Sequence, residues 1–175
     1  MTLPLTPWIL SHRFDPAARV IADRHYNRQK PGTPQFVPPG RCTVFRGHRM
    51  LWVTSWPFGQ FVRHAWPGAW VCSAFRREVH RGHQASTLIR LAIAHTRHVV
   101  GGFPIVASRR GDPIVMVTFI DEAKTRAKQH PGACYRHAGF VEDGRTKGGL
   151  VALVLPLAAL PEPLAPLEPA PELFA

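Results

Sequence analysis

Apolar residues recur at helical spacing in two parts of the chain. Residues 86–100 carry them every three or four positions, which predicts a long buried helix. A shorter helix is expected over residues 16–25, because Asp15 and Pro16 form a typical N-cap and first helical residue. Residues 27–40, which follow this helix, are rich in proline and glycine and therefore predict a loop.

Alternating and continuous apolar runs predict the strands of a sheet. Residues 41–46 and 50–56 are expected to pair as a hairpin, and residues 69–75 and 114–120 have the apolar character of central strands. The remaining predicted elements are helices at residues 122–129 and 132–138 and strands at residues 140–142 and 149–155, with a turn at Asp143-Gly144 between these strands. This order predicts an α/β or α+β fold with a mostly antiparallel sheet and one central strand–helix–strand unit.

The last twenty residues differ from the rest of the chain. Residues 156–175 contain six prolines, show no periodicity and carry only acidic charge. They predict a disordered or extended tail that is dispensable for folding. The chain is accordingly divided into a domain at residues 1–155 and a tail at residues 156–175.

Composition is that of a globular protein with one domain. The 175 residues are 45% hydrophobic and 19% charged, which is enough to bury a core. No run of 18 apolar residues is present, so no transmembrane helix is expected, and the N-terminus lacks the pattern of a secretory signal. The three widely spaced cysteines include no Cys-x-x-Cys pair, which favours reduced thiols in the cytoplasm over disulfides or a zinc site.

The charge of the chain indicates a polyanionic partner. Its net charge is +11, and residues 1–155 carry 22 basic against 8 acidic residues, a net +14. Nearly all the basic residues are arginine, which suits phosphate contacts and base stacking. Nucleic acid is therefore the first expected partner, and arginine enrichment by a GC-rich genome is the alternative explanation.

Short motifs along the chain resemble one family when they are taken in order. These motifs are residues 24–28 (RHYNR), 73–78 (SAFRRE), 85–89 (ASTLI), 117–121 (VTFID), 132–140 (GACYRHAGF) and 144–146 (GRT). Over residues 16–155 the chain resembles the Mom-like phage DNA-modification proteins, a divergent branch of the acyl-CoA-dependent N-acetyltransferase (GNAT) superfamily.

The resemblance implies a fold, an activity and cofactors. The fold would be GNAT-like, and the activity would add a carbamoylmethyl or related acyl-derived group to adenine N6 in DNA, which protects the DNA from restriction. The resemblance also implies iron, acetyl-CoA or another acyl-CoA as donor, double-stranded DNA as partner, and the cytoplasm of a bacterial or phage-infected cell. A homodimer and a monomer both stay open.

The segment before the long helix matches part of the pyrophosphate-binding loop of that superfamily, Arg/Gln-x-x-Gly-x-Gly/Ala. Gly82 fits the pattern, whereas Val79 and Gln84 do not fit its outer positions. The resemblance implies that the free N–H groups at the helix N-terminus hold the phosphates of the acyl-CoA. The residues expected there are Arg81, Gly82, His83, Gln84, Ala85 and Ser86. The alternative is a basic loop that only caps the helix.

Two tyrosines and their neighbours are the candidate catalytic and metal-binding residues. Tyr26 and Tyr135 are the only tyrosines, and both fall inside matching motifs. The resemblance implies iron ligation by His25, Tyr26 and Tyr135, and in ordinary acetyltransferases a tyrosine at the place of Tyr135 protonates the leaving thiolate. Asp121 ends a predicted strand and is a candidate base or metal ligand, or else the N-cap of the following helix. For the tyrosines the alternative is a purely structural role.

Basic and aromatic side chains are the candidate DNA contacts. The basic candidates are Arg24, Arg28, Lys30, Arg76 and Arg77. Glu78, which lies among arginines, is expected to pair with a neighbour. Trp56, Phe58 and Trp66 are candidates for stacking on a base taken out of the duplex, with core packing as the alternative.

Two other functions remain open at the level of the sequence. The chain could be an ordinary N-acetyltransferase of a small molecule or protein, with incidental charge, although the degenerate phosphate loop argues against it. It could also be a non-catalytic DNA-binding module, but the sequence contains no helix-turn-helix, zinc or RNA-recognition motif.

Overall fold

A computed structural model describes residues 6–57, 59–61, 64–79, 82–125 and 130–169. The strands are β1 (Ile9–Ser11), β2 (Gly40–Gly47), β3 (Met50–Pro57), β4 (Trp70–Arg77), β5 (Val106–Ala107), β6 (Pro113–Ile120), β7 (Val141–Arg145) and β8 (Val151–Pro156). The helices are α1 (Pro16–Asp23), α2 (Ala85–Val100) and α3 (Ala133–His137), with short 3-10 turns at Gly59–Phe61 and Leu157–Ala159. The fold is α+β, and within the described part no helix is long and apolar enough to cross a bilayer.

The strands form one open sheet in the order β1-β2-β3-β4-β6-β8-β7, with the short β5 also paired to β6. All neighbouring strands are antiparallel except β4 and β6, which are parallel. Helix α2 lies between β4 and β6 in the chain, because parallel neighbours need a long crossover. The predicted hairpin and the central strand–helix–strand unit are therefore confirmed.

The helices cover both faces of the sheet. Successive residues of a strand point to opposite faces, and the pair Val44 and Val53 packs with α1, whereas the adjacent pair Phe45 and Trp52 packs with α2. Asp15 caps α1 as predicted, its carboxylate accepting the backbone N–H groups of Ala17 and Ala18. Gly101 ends α2 in the left-handed conformation, also as predicted.

The two central strands separate along their length. β4 pairs with β6 only from Trp70 to Cys72, opposite Met116–Thr118. Beyond this point β4 stays paired with β3 as far as Arg77, and β6 stays paired with β8 as far as Ile120. A bulge at Ser73, the unpaired residue between Cys72 and Ala74, marks the place where β4 bends away. We call this opening the splay.

Two predictions of local structure are wrong. Residues 122–125 form a turn rather than the start of a helix, and residues 126–129 lie outside the described part. Asp143 and Gly144 do not turn the chain; they form a bulge within β7, and the reversal comes later, at residues 146–149. The cause is Asp143, whose buried carboxylate accepts hydrogen bonds from the Trp66 indole and the Arg109 backbone, each at 2.7 Å.

The tail is extended, as predicted, but it is docked on the domain. The Leu164 carbonyl lies 2.7 Å from Nδ1 of His95, and Nε2 of this buried histidine lies 2.7 Å from the Thr6 hydroxyl. Leu167 continues the contact with two backbone hydrogen bonds of 3.0 Å, one to Leu10 and one to Trp8. The described part of the tail therefore closes over α2 and β1, and the division at residue 155 does not match a structural boundary.

We expect deletion of residues 160–175 to destabilise the protein, in contrast to the dispensable tail that the sequence suggests. The deletion removes at least four hydrogen bonds. At about 1 kcal/mol each, their loss corresponds to a fall in melting temperature of roughly 8 °C or more. Glu162→Gln is the control, because its side chain is 92% exposed and its ion pair with Arg97 contributes little. An unchanged melting curve for the deletion would show that the docking does not stabilise the fold.

Candidate functional site

A cavity of about 310 Å³ opens at the splay. It is lined by the end of α1, the end of β4, the start of α2 and the segment that carries α3. The lining side chains used below are His25, Tyr26, Phe75, Arg77, Ala85, His130, Cys134 and Tyr135. We call it the tyrosine cavity, because the two predicted tyrosines meet there from elements far apart in the sequence.

Tyr135 is buried at the wall of the tyrosine cavity. Its hydroxyl lies 3.4 Å from the Cys72 sulfur, and its ring makes edge contacts with Phe75 and Phe140. Burial raises the pKa of Tyr135 well above its ordinary value, and it raises the pKa of the Cys72 thiol to about 12. Both groups are therefore protonated at neutral pH, so that Tyr135 is a proton donor and Cys72 is not a nucleophile.

Tyr26 reaches the same cavity from the end of α1. Its ring stacks on that of His25 with centroids 4.6 Å apart. Burial also raises the pKa of Tyr26, and a hydrogen bond with the Asp121 backbone only partly offsets this. The two phenols are close enough that Tyr26 contributes to the raised pKa of Tyr135. The structure therefore brings together the pair that the sequence singled out.

A glycine allows α3 to approach the end of β6. Gly132, at the N-cap of α3, has φ +76°, a conformation that side chains other than glycine rarely adopt. A Cβ at this position would lie 3.1 Å from a methyl group of Leu153 and 3.2 Å from Ile120. The short helix can therefore lie close against the sheet, which carries Tyr135 into the splay.

The expected iron ligands meet in the tyrosine cavity but make a poor donor set. Tyrosine binds iron as phenolate, and burial raises the pKa of both phenols, which opposes the ionisation that iron binding requires. Nδ1 of His25 accepts the backbone N–H of Asn27, and in the described part no three His, Cys, Asp or Glu side chains are grouped to hold a metal. Iron binding stays a prediction from the resemblance, and no step below uses it.

The predicted phosphate loop leads from β4 into the N-terminus of α2. Gly82 is left-handed at φ +88°, Arg77 donates a 2.6 Å hydrogen bond to the His83 carbonyl, and Gln84 is the N-cap. No side chain among the described residues caps α2, and Ala85, its first residue, lines the tyrosine cavity. Ser86 lies in the same first turn, whereas Arg81 lies outside the described residues. As far as the described residues show, the first N–H groups of α2 can therefore receive an anion at the cavity.

Asp121 lies at the splay, but its carboxylate is engaged in a turn. One carboxylate oxygen accepts the backbone N–H groups of Ala123 and Lys124, at 3.0 and 3.1 Å. Its side chain is not part of the lining of the tyrosine cavity. This geometry favours a structural role for Asp121, which caps the turn at residues 122–125 rather than a helix, over the role of base or metal ligand.

Several of the expected DNA contacts are held by acidic partners. Glu78 accepts two hydrogen bonds from Arg24 at 2.6 and 2.8 Å and one from Arg76 at 2.8 Å, which lower its pKa to about 2. Arg28 donates to Asp23 at 2.7 Å and to backbone carbonyls of the loop that follows α1. Lys30 is exposed, and Arg77 lines the tyrosine cavity.

The aromatic candidates for base stacking differ in accessibility. Trp66 is fully buried, and its indole N–H donates to Asp143, so it is a core residue and the stacking prediction is wrong for it. Trp56 is partly exposed and donates to the Gly68 carbonyl at 2.8 Å. Phe58 lies outside the described residues.

The sequence predicts nothing for Cys72 beyond its place in the central strand at residues 69–75, and it predicts only a loop for the polar segment after Tyr26. Cys72 is the hydrogen-bond partner of Tyr135 across the sheet, which no spacing along the chain could show. The loop does carry a signal, because the amide side chains Asn27, Gln29 and Gln35 all follow Tyr26 within one short segment.

Comparison with protein-family models, with curated proteins and with solved structures gives no match to this chain. The function is therefore argued from the geometry of the cavity and the charge of the chain.

We expect the two tyrosines to titrate above pH 10 in the folded protein. Because burial raises their folded-state pKa, the unfolded chain loses these protons first as pH rises. The stabilisation is complete below about pH 10, the ordinary tyrosine value, and falls above it. Phenolate absorbance during alkaline titration, with Tyr26→Phe and Tyr135→Phe to assign each step, tests this. Ordinary titration of both groups in folded protein would contradict the burial argument.

Proposed function

We propose that this protein is a DNA-modifying transferase of the Mom type, which adds a carbamoylmethyl or related acyl-derived group to adenine N6 in duplex DNA. The observation that carries the proposal is the meeting of Tyr26, Tyr135 and the N-terminus of α2 at one cavity in the splay. A nucleophilic amine and an activated donor can approach such an opening from opposite faces of the sheet.

The arrangement supports an acyl-CoA donor and a GNAT-like fold. A parallel strand pair that separates, with a helix N-terminus beside the opening, resembles the site of that superfamily. Available N–H groups at the start of α2 fit a pyrophosphate, and Ala85 borders both these groups and the cavity. When bound there, acyl-CoA would supply an activated thioester carbonyl.

The residues of the cavity can carry both proton transfers of such a step. With acyl-CoA bound, Tyr135 would donate its phenolic proton to the leaving thiolate sulfur as the acyl group passes to the amine nitrogen. This step yields an N6-acyl adenine, the acyl-derived alternative to the carbamoylmethyl group. The imidazole of His130, which lines the cavity, accepts the proton that the amine loses. Tyr26, stacked on His25 and hydrogen-bonded at Asp121, positions the amine beside these groups.

An ordinary N-acetyltransferase is the second candidate. The observation that favours it is the pairing of Arg24 and Arg76 with Glu78, which removes part of the positive field beside the cavity. The net charge of +11 for the whole chain still favours nucleic acid over a cationic amine as substrate. A non-catalytic DNA-binding module would not require the buried phenol of Tyr135, so this third function is disfavoured.

We expect Tyr135→Phe and Tyr26→Phe each to reduce adenine modification while the protein stays folded. Loss of a positioned proton donor costs roughly 10²–10⁴ in rate, whereas the lost hydrogen bond costs about 1–2 kcal/mol of stability. DNA from cells expressing each variant is digested to nucleosides and analysed by mass spectrometry, with melting curves of each purified variant and DNA from cells lacking the protein as controls. A folded variant that modifies adenine at the wild-type level excludes that hydroxyl. If DNA from cells that express the wild-type protein contains no modified adenine, the proposal is overturned and an ordinary N-acetyltransferase is favoured.

We expect Glu78→Gln to strengthen binding to duplex DNA, because it releases Arg24 and Arg76 for phosphate contacts. The wild-type affinity should fall by orders of magnitude between about 50 and 200 mM salt, and the variant should show a salt dependence steeper by about one phosphate contact. Glu162→Gln changes the net charge equally but lies on the exposed tail. If Glu78→Gln and Glu162→Gln change the affinity for DNA equally, only the net charge of the chain matters. If the affinity of the wild type does not change with salt concentration, DNA is excluded as the substrate.

A further inference from the structure

A second and larger cavity, of about 580 Å³, lies on the α1 side of the sheet beside the tyrosine cavity. Its walls are the loop after α1 and the bulged part of β4 at Ser73 and Ala74. Three amide side chains line it, Asn27, Gln29 and Gln35, and we call it the amide cavity. Its volume falls in the range of small-molecule sites and accommodates a nucleoside.

Arg28 gives the amide cavity a fixed wall. Its guanidinium donates to the Asp23 carboxylate at 2.7 Å, to the Thr33 carbonyl at 2.9 Å and to the Gln35 carbonyl at 3.0 Å. The other carboxylate oxygen of Asp23 accepts the backbone N–H of Gly32 at 3.0 Å. The backbone of the loop is therefore held in one shape by Arg28 and Asp23, so less ordering of the backbone is needed when a ligand binds.

The chemistry of the lining selects for a nucleotide over a cationic amine. No carboxylate is among the described residues that line the amide cavity, whereas Lys30 and Arg28 are. Phe36 supplies a partly buried aromatic surface, and Asn27, Gln29 and Lys30 are exposed to solvent. A planar ring can pack on the aromatic surface, an amide can pair with its polar edge, and the ammonium can contact a phosphate.

The two cavities share a wall made of consecutive residues. Tyr26 lines the tyrosine cavity and Asn27 the amide cavity, and in the same way Phe75 lines the first and Ala74 the second. Ala74 and Phe75 pack on opposite faces of the sheet, and the sheet is open beside them because β4 and β6 have separated. A group bound in the amide cavity can therefore reach the tyrosines through the splay.

We propose that the amide cavity receives the flipped adenine and that Asn27 and Gln29 recognise its polar edge. This inference rests on the proposed function, since adenine is its substrate. An amide side chain pairs with the Hoogsteen edge of adenine by accepting from the N6 amine and donating to N7, an edge that thymine and cytosine lack. Because Asn27 directly follows Tyr26, a base paired at Asn27 lies beside the wall that the two cavities share.

Binding of single-stranded homopolymers tests the inference without requiring the chemical step. Fluorescence anisotropy measures the affinity of the full chain for oligo-dA, oligo-dC and oligo-dT of equal length at one salt concentration. Single strands are chosen because they remove the cost of unpairing the base. We expect the wild type to bind oligo-dA about tenfold or more tightly than oligo-dT, the size of one amide–adenine pair.

Asn27→Ala and Gln29→Ala should bring the ratio of oligo-dA to oligo-dT affinity toward one while leaving the oligo-dT affinity within about twofold, since the phosphate contacts remain. Melting curves of each variant, compared with that of the wild type, show that the variant is folded. Gln60→Ala is the matched control, because Gln60 is an exposed amide outside the cavity and should leave the ratio unchanged.

The outcomes separate this inference from the proposed function. Equal wild-type affinities for the three homopolymers, or an adenine preference that survives both alanine variants, would overturn the role of the amides even if cellular DNA carries a modified adenine. An adenine preference that the alanine variants abolish supports the amide cavity even if the cellular DNA carries no altered base, in which case only the proposed reaction fails.

Discussion

The parallel contact between β4 and β6 stops after three residue pairs, and the candidate site depends on where it stops. Each strand keeps its other neighbour, so the sheet stays intact while a gap opens at its centre. Tyr26 enters this gap from one face and Tyr135 from the other, beside the start of α2. Longer pairing would fill the gap with backbone hydrogen bonds and close both approaches. The bulge at Ser73 bends β4 away from β6 and so ends the pairing of these two strands.

The charge of the chain is less available than its sum suggests. Glu78 pairs with Arg24 and Arg76 at hydrogen-bond distance. Asp23 pairs with Arg28, which in turn holds the loop after α1 in place. Guanidinium groups that donate several fixed hydrogen bonds shape the backbone around them before they meet any phosphate. A net charge therefore indicates the class of partner, whereas the free cations, such as Lys30, indicate where contact can occur.

Sequence patterns identified the elements whose stability is local and missed those fixed by distant partners. The Asp15 cap, the Gly101 stop and the apolar strands β4 and β6 follow from short-range rules, and all of them were predicted. The Asp143-Gly144 turn failed because Trp66, far away in the chain, holds the Asp143 carboxylate.

The same limit applies to the candidate site. Tyr26 and Tyr135 could be named from their motifs, but only the fold shows that they share a cavity and that Cys72 contacts one of them. The amides of the neighbouring loop lie in a segment with no helix or strand period, so pattern analysis gave them no role.

The backbone pairing of Leu167 with β1 affects the order in which the chain folds. The backbone bonds from Leu167 to Trp8 and Leu10 join segments near opposite ends of the described chain, which are among the most distant contacts the chain can make. Contacts of such sequence separation carry a large loop-closure cost and form late. During synthesis, the backbone of β1 must wait until Leu167 has been made before this edge of the sheet is covered. β1 is thus made well before the segment that covers it, and a chain that has not yet reached Leu167 exposes a strand edge that can pair with another molecule.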